Sequence, residues 1–189
     1  MRMKATIITL VMAVLPACLG FAGGAGGTFY GMPYFDQDFS NYDIPVQSVG
    51  GFGYGVNNSG LRTGGFGMGF FGGSADGGLA GGVGGFMSGQ EIRFGPVTIA
   101  VNLLTGLGGL GANLADARGG YMVAFGQLDA ECGFAVSPWM QISAYGGIMG
   151  MGNLLPGYPM QSLLYYTPIV GVRVAWGSFG YTPRSHEYR

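Results

Sequence analysis

Between Gly51 and Met87 glycine alternates with large apolar residues, and that alternation restricts this chain more than any other feature of it. In Gly51–Val56 (GFGYGV), Phe52, Tyr54 and Val56 fall on one side of an extended strand, with Gly51, Gly53 and Gly55 on the other. Gly64–Phe71 repeats the pattern, with Phe66, Met68 and Phe70 opposite Gly65, Gly67 and Gly69, and Gly78–Met87 is a third strand of the same kind. A period of two is that of a strand. Glycine in a strand loses the most backbone entropy and packs nothing, so a bare face needs a reason. Close approach supplies one: another sheet, or the opposite wall of a narrow barrel, can lie on bare backbone. The aromatic and aliphatic face then looks into a core or into lipid.

Turns separate these segments. Asn57-Asn58-Ser59-Gly60 suits a hairpin, and Gly72–Gly77 (GGSADG) turns again. Five further strands follow at Gln90–Phe94, Val97–Leu104, Tyr121–Val136, Trp139–Gly147 and Thr167–Tyr181. The expectation is an all-β fold, an antiparallel meander of about eight strands, with a closed barrel favoured over a sandwich. Leu103, Leu107, Leu110 and Leu114 are spaced like one face of a helix, and 95–115 is uncharged, which brings a membrane helix into consideration. The glycines between Gly106 and Gly111 make a poor helix, and the stretch reads as a loop with a frayed strand.

The ends are organised differently. Residues 1–22 read as a secretory signal: Arg2 and Lys4, an uncharged run from Ala5 to Leu15, then Pro16 and small residues leading to cleavage after Ala22. Leu15-Pro16-Ala17-Cys18 also looks like a lipobox, which makes lipidation at Cys18 the minor alternative. Residues 23–45 form a flexible leader (Gly23–Gly27) and an irregular aromatic and acidic arm, 46–181 the glycine-rich β domain, and 182–189 a polar tail. Loss of the signal takes Arg2 and the lone Lys4, leaving six arginines against nine carboxylates and only Cys132 as a thiol. No internal disulfide can then form. Cys132 reads as a small buried hydrophobe.

Charged residues make up only 9 % of the chain, well below the roughly 25 % of ordinary soluble domains. Much of the surface must therefore meet lipid or other protein. The few charges share strand faces. Glu91 and Arg93 lie opposite Ile92 and Phe94; Gln127, Asp129 and Glu131 lie opposite Leu128, Ala130 and Cys132; Arg173 lies opposite Val172, Val174 and Trp176. In a closed barrel the charges would face inward and pair, as a network of Glu91, Arg93, Asp129, Glu131 and Arg173, with apolar faces in lipid. In the alternative, a secreted or periplasmic glycine-rich sandwich that self-associates through an apolar surface, the same residues would be solvated.

The meander, the signal and the last strand, Gly171–Phe179 (GVRVAWGSF), resemble small bacterial outer-membrane β-barrels over Gln47–Tyr181. The resemblance implies an outer-membrane location, a lipid bilayer as partner and a final strand whose closing aromatic residue assists insertion. Here Phe179 and Tyr181 are followed by the polar tail.

Motifs of chemistry are sparse. The glycine strings lie within strands, without the strand-to-helix setting of a nucleotide loop, and the acidic balance argues against nucleic acid as a partner. His186, in the tail, is the lone histidine, so no histidine cluster can hold zinc. Asp36, Asp38, Ser40 and Asp43 loosely suggest calcium, but Asn41 and Gln47 stand where a calcium loop has glycine and glutamate. The expectation is an exported, non-enzymatic envelope protein with a structural or binding role, no catalytic residues and no cofactor.

Overall fold

Eight strands joined in sequence order pair antiparallel with their neighbours, and the last pairs with the first to close a barrel. The computed structural model describes residues 21–33, 46–74, 77–113, 118–154 and 164–179. The strands are β1 (Phe21–Pro33), β2 (Val46–Asn57), β3 (Leu61–Ser74), β4 (Gly77–Phe94), β5 (Val97–Asn113), β6 (Arg118–Ser137), β7 (Met140–Asn153) and β8 (Leu164–Gly177). The fold is a closed all-β barrel and not a sandwich.

The strands are not the eight that the sequence suggests. Gly78–Met87 and Gln90–Phe94 belong to one continuous strand, β4. Residues 23–33, read as flexible leader and the start of an irregular arm, form β1. The stretch from Leu103 to Asn113, read as a frayed loop, is the second half of β5. In each case backbone pairing on both sides overrides local propensity: β1 lies between β2 and β8, and β5 between β4 and β6. The stretch read as a secretory signal, with Cys18, most of the acidic arm and the polar tail lie outside the described residues.

The turns after β2, β4 and β6 are short and lie together at one end. Asn57 Oδ1 accepts from the Ser59 and Leu61 N–H groups (3.0 and 2.9 Å), and Gly60 takes φ +83°, which glycine adopts without strain. Two-residue turns join β4 to β5 at Gly95-Pro96 and β6 to β7 at Pro138-Trp139. Phe21 and Ser178 reach the same end, where the Ser178 N–H donates to Gly24 O at 3.1 Å.

The interior is divided along the barrel axis. Phe66, Met68 and Phe70 of β3, Val83 of β4, Leu104 of β5, Phe125 of β6, Met149 of β7 and Ile169 of β8 form an apolar core towards the end away from the short turns. Polar side chains fill a layer nearer those turns, from Arg62, Glu91, Thr98, Asn102, Asp129, Glu131, Gln141, Ser143 and Arg173. On β2, β3 and β4 the apolar faces point inward, not into lipid, and glycines occupy the outside.

Glycines stand on both faces of the wall, for different reasons. A Cβ on inward Gly64 would collide with Gly53 O and the Tyr54 Cα, and one on inward Gly147 with Leu128 O and the Asp129 Cα. These positions let neighbouring backbones lie close together. Outward Gly53 and Gly67 have nothing within 4 Å of a built Cβ. Gly64→Ala should therefore cost about 1–3 kcal/mol by overpacking, and Gly53→Ala should gain about 0.5–1 kcal/mol from the lost backbone entropy of glycine. Urea titration of each variant in detergent checks this, and shifts of the same sign would contradict it.

Candidate functional site

The one dense concentration of chemistry among the described residues is the buried polar layer. Its parity follows from β6, where Gln127, Asp129 and Glu131 point inward between outward Leu128, Ala130 and Cys132. Arg173 enters from β8 across the barrel and makes a fork: Nη1 donates to Asp129 Oδ1 at 2.9 Å and Nη2 to Asp129 Oδ2 at 2.7 Å. Nη1 also reaches Glu131 Oε2 at 2.7 Å. Paired N–H···O⁻ bonds of this kind are short and direction-specific.

Arg62 enters from β3. Its Nε donates to Glu91 Oε2 at 2.7 Å, and its Nη1 to Glu131 Oε2 at 3.0 Å and Asn102 Oδ1 at 3.2 Å. Glu131 is thus shared by two guanidinium groups, while its other oxygen accepts from Ser143 Oγ at 2.9 Å. Asn102 Nδ2 donates to Asp129 at 2.9 Å, and Gln127 Nε2 donates to Asp129 Oδ2 at 2.8 Å. Both buried guanidinium groups sit on tyrosine rings, Arg62 4.6 Å from the Tyr54 centroid and Arg173 4.1 Å from that of Tyr145.

Of the five residues expected to form an internal network, Asp129, Glu131 and Arg173 touch directly. Glu91 joins them through Arg62. Arg93 stands at the rim, its side chain one-third exposed, with Nε 2.6 Å from Glu91 Oε1 and Nη1 donating to Ser178 O at 3.3 Å. Three cations and three anions therefore alternate from the rim to the middle of the barrel. Every oxygen of Asp129 and Glu131 accepts at least one donor. Arg62 Nη2 and Gln127 Oε1 are buried with no partner.

Arg62 was missed by the sequence reading, which began the strand at Gly64. Its signal was parity: Arg62 is in phase with Phe66, Met68 and Phe70 once β3 is carried back to Leu61. Asn102, Gln141 and Ser143 are uncharged and alternate like any strand residue, so only the closed barrel shows that they meet.

An open cleft of about 900 Å³ lies at the short-turn end, among Asn57–Gly60, Gln90–Arg93 and Ser178. Beside it the chain turns inward after β8. Phe179 is buried, with the Arg93 guanidinium 5.7 Å from its ring and its N–H donating to Pro138 O at 2.9 Å. The outward aromatic residue that closes β8 is Trp176, not Phe179.

This architecture has a solved counterpart. The crystal structure of Neisserial surface protein A matches with a TM-score of 0.59 at 9 % sequence identity, over 82 % of this chain and 95 % of that one. The fold is that of a small outer-membrane β-barrel. The sequence itself matches no family model and no curated protein.

The outer wall of the barrel is uneven. On β5 to β8 it carries Ile99, Val101, Leu103, Leu107, Leu128, Ile142, Ile148, Val170 and Val172, all exposed. Phe94, Phe134, Trp139 and Trp176 stand outward near the short-turn end, and Tyr30, Phe71 and Tyr166 near the other. Along the middle of β2 to β4 the outward positions are mostly glycine (Gly51, Gly53, Gly55, Gly65, Gly67, Gly69, Gly82 and Gly84), with Phe86 projecting between them. Cys132, read as a buried hydrophobe, is exposed on this outer face because it shares parity with Leu128 and Phe134. Among the described residues, no group of three or more His, Cys, Asp or Glu side chains is arranged to hold a metal ion. The acidic arm considered for calcium lies outside them.

Proposed function

We propose that this chain is an exported, non-enzymatic barrel of a bacterial outer membrane, with a structural or binding role. The observation that carries the reading is the reversal of ordinary polarity across the wall. Leaving aside Arg118 at the end of β6, the charged residues of the described strands lie in the interior layer or at its rim, while bulky apolar side chains stand outside. From Val97 to Leu107 along β5, ten steps of about 3.3 Å carry outward Val97, Ile99, Val101, Leu103 and Leu107, interrupted by Thr105 alone. Tilted by about 40° that run rises roughly 25 Å, the height of the apolar band in barrels of this class. The aromatic residues at both ends fit the two water interfaces.

The interior supports a structural or binding role over transport. An eight-stranded barrel has room only for its own side chains, and here they form an apolar core and a closed ion-pair layer. The signal-like N-terminus supplies the route of export, and the structural neighbour is named as a surface protein. The bilayer is the partner of the outer wall.

The test is fractionation of a diderm bacterium expressing the full chain. The protein should appear in the outer-membrane fraction, require detergent for release, and migrate faster on a denaturing gel before boiling than after. Recovery in the soluble periplasm without detergent would overturn the proposal and leave a self-associating exported barrel.

A further inference from the structure

The ladders that close the barrel differ widely in length. β4 and β5 pair from Gly78–Asn113 to Phe94–Val97, and β5 and β6 from Val97–Phe134 to Asn113–Arg118, seventeen residues of β5 in each case. Among the described residues, β1 pairs with β8 from Ala25–Gly177 to Pro33–Ile169, nine residues of β1, and with β2 over ten, so it is lightly paired on both sides. Each lost backbone pair removes a bond and some side-chain packing from what holds two strands together.

The seam is also poor in side chains. Residues 23–27 of β1 are Gly-Gly-Ala-Gly-Gly, and inward Gly27 packs so closely that a Cβ there would collide with Val174 O. On the other strand Gly171 and Gly177 lie equally close to Tyr30 O and Gly24 O. Over these stretches the seam is backbone against backbone, made by residues that lose the most entropy on ordering.

The ion-pair layer reinforces every strand from β3 to β8. Arg62 belongs to β3, Glu91 to β4, Asn102 to β5, Asp129 and Glu131 to β6, Ser143 to β7 and Arg173 to β8. It draws no side chain from β1. That strand has no charged residue; it is reached instead by Ser48 Oγ, donating to Gly31 O at 3.0 Å, and by Tyr145 Oη, donating to Tyr30 O at 3.5 Å. β8 is thus tied across the interior on one side and meets a lightly held strand on the other.

We infer that the β1–β8 seam is the built-in opening of this barrel, and that β1 is the strand released first. Local opening takes place where the free energy that holds an element is smallest. Release leaves β3 to β8 joined by their ion pairs and exposes the edge of β8.

Amide hydrogen exchange on the folded protein in lipid vesicles tests this directly. The amides of Thr28–Met32 should exchange at least tenfold faster than those of Ile99–Leu103. Equal or slower exchange in β1 would overturn the inference. In a Cys132→Ala background, Thr28→Cys with Val174→Cys places a pair across the seam at outward, registered positions. Oxidation should slow β1 to the rate of β5, and reduction should restore the difference. If oxidation leaves β1 fast while the disulfide is shown to be present, β1 is opening elsewhere and the seam assignment falls.

Discussion

Arg173→Met will destabilise the folded barrel by about 3–5 kcal/mol, the range for breaking a buried ion pair from one side. The side chain is buried, and its removal leaves Asp129 with no cation and Glu131 with only Arg62. Two carboxylates would then lie side by side inside the wall, each having lost a charge-assisted bond. Replacing one of them at the same time should recover part of the loss, so Arg173→Met with Asp129→Asn should be less destabilised than the sum of the two single variants. Arg93→Met gives the comparison, because its side chain is one-third exposed and its ion-pair partner is Glu91 alone. An exposed pair contributes about 0–1 kcal/mol. Urea titration in lipid vesicles measures all four proteins. A loss below about 1 kcal/mol for Arg173→Met would mean that the layer is solvated and contributes little.

Leu128→Arg is the second large effect, and it acts from the other side of the wall. Leu128 is 55 % exposed and registers with Leu103 on β5 and Ile148 on β7, in the middle of the apolar band. If that band lies in hydrocarbon, an arginine near the midplane should cost about 2–4 kcal/mol. In water the same exchange at an exposed position should fall within about 0.5 kcal/mol of zero. The same substitution at Phe94, beside the short-turn end, should cost about 0–1 kcal/mol, because the penalty fades towards the interface. Unfolding titrations in vesicles read the difference. A flat profile from Leu128 to Phe94 would remove the membrane from the proposal.

How much of this was legible depended on what each strand carries. β6 announces itself, because Gln127, Asp129 and Glu131 alternate with Leu128, Ala130 and Cys132, and the polarity of each position says which way it points. Arg173 is marked in the same way between Val172 and Val174. β1 carries no such signal: Gly-Gly-Ala-Gly-Gly has a single methyl group and cannot show a period, so its strand is established by pairing with β2 and β8. β4 read as two strands with Ser88-Gly89 between them, and unbroken pairing with β5 from Gly78 to Phe94 joins them. On β2 and β3 the period was clear but its sense was not. A row of glycines opposite a row of aromatics suits either side of a wall, and closure of the barrel decides it. The network was half visible for a related reason. Charges stand out in a chain with so few, whereas Asn102, Gln141 and Ser143 gain their meaning only from residues brought to them by other strands.

The two kinds of glycine have a consequence for how this sequence can drift. Inward Gly64 and Gly147 answer to the backbone of the adjacent strand, so the fold by itself forbids their replacement. Outward Gly53 and Gly67 answer to nothing within the chain. Selection for folding alone would let these two wander towards alanine, valine or threonine, each a better strand former. Among homologues of this barrel, invariance at Gly64 would record geometry, while invariance at Gly53 would record a pressure from outside the molecule.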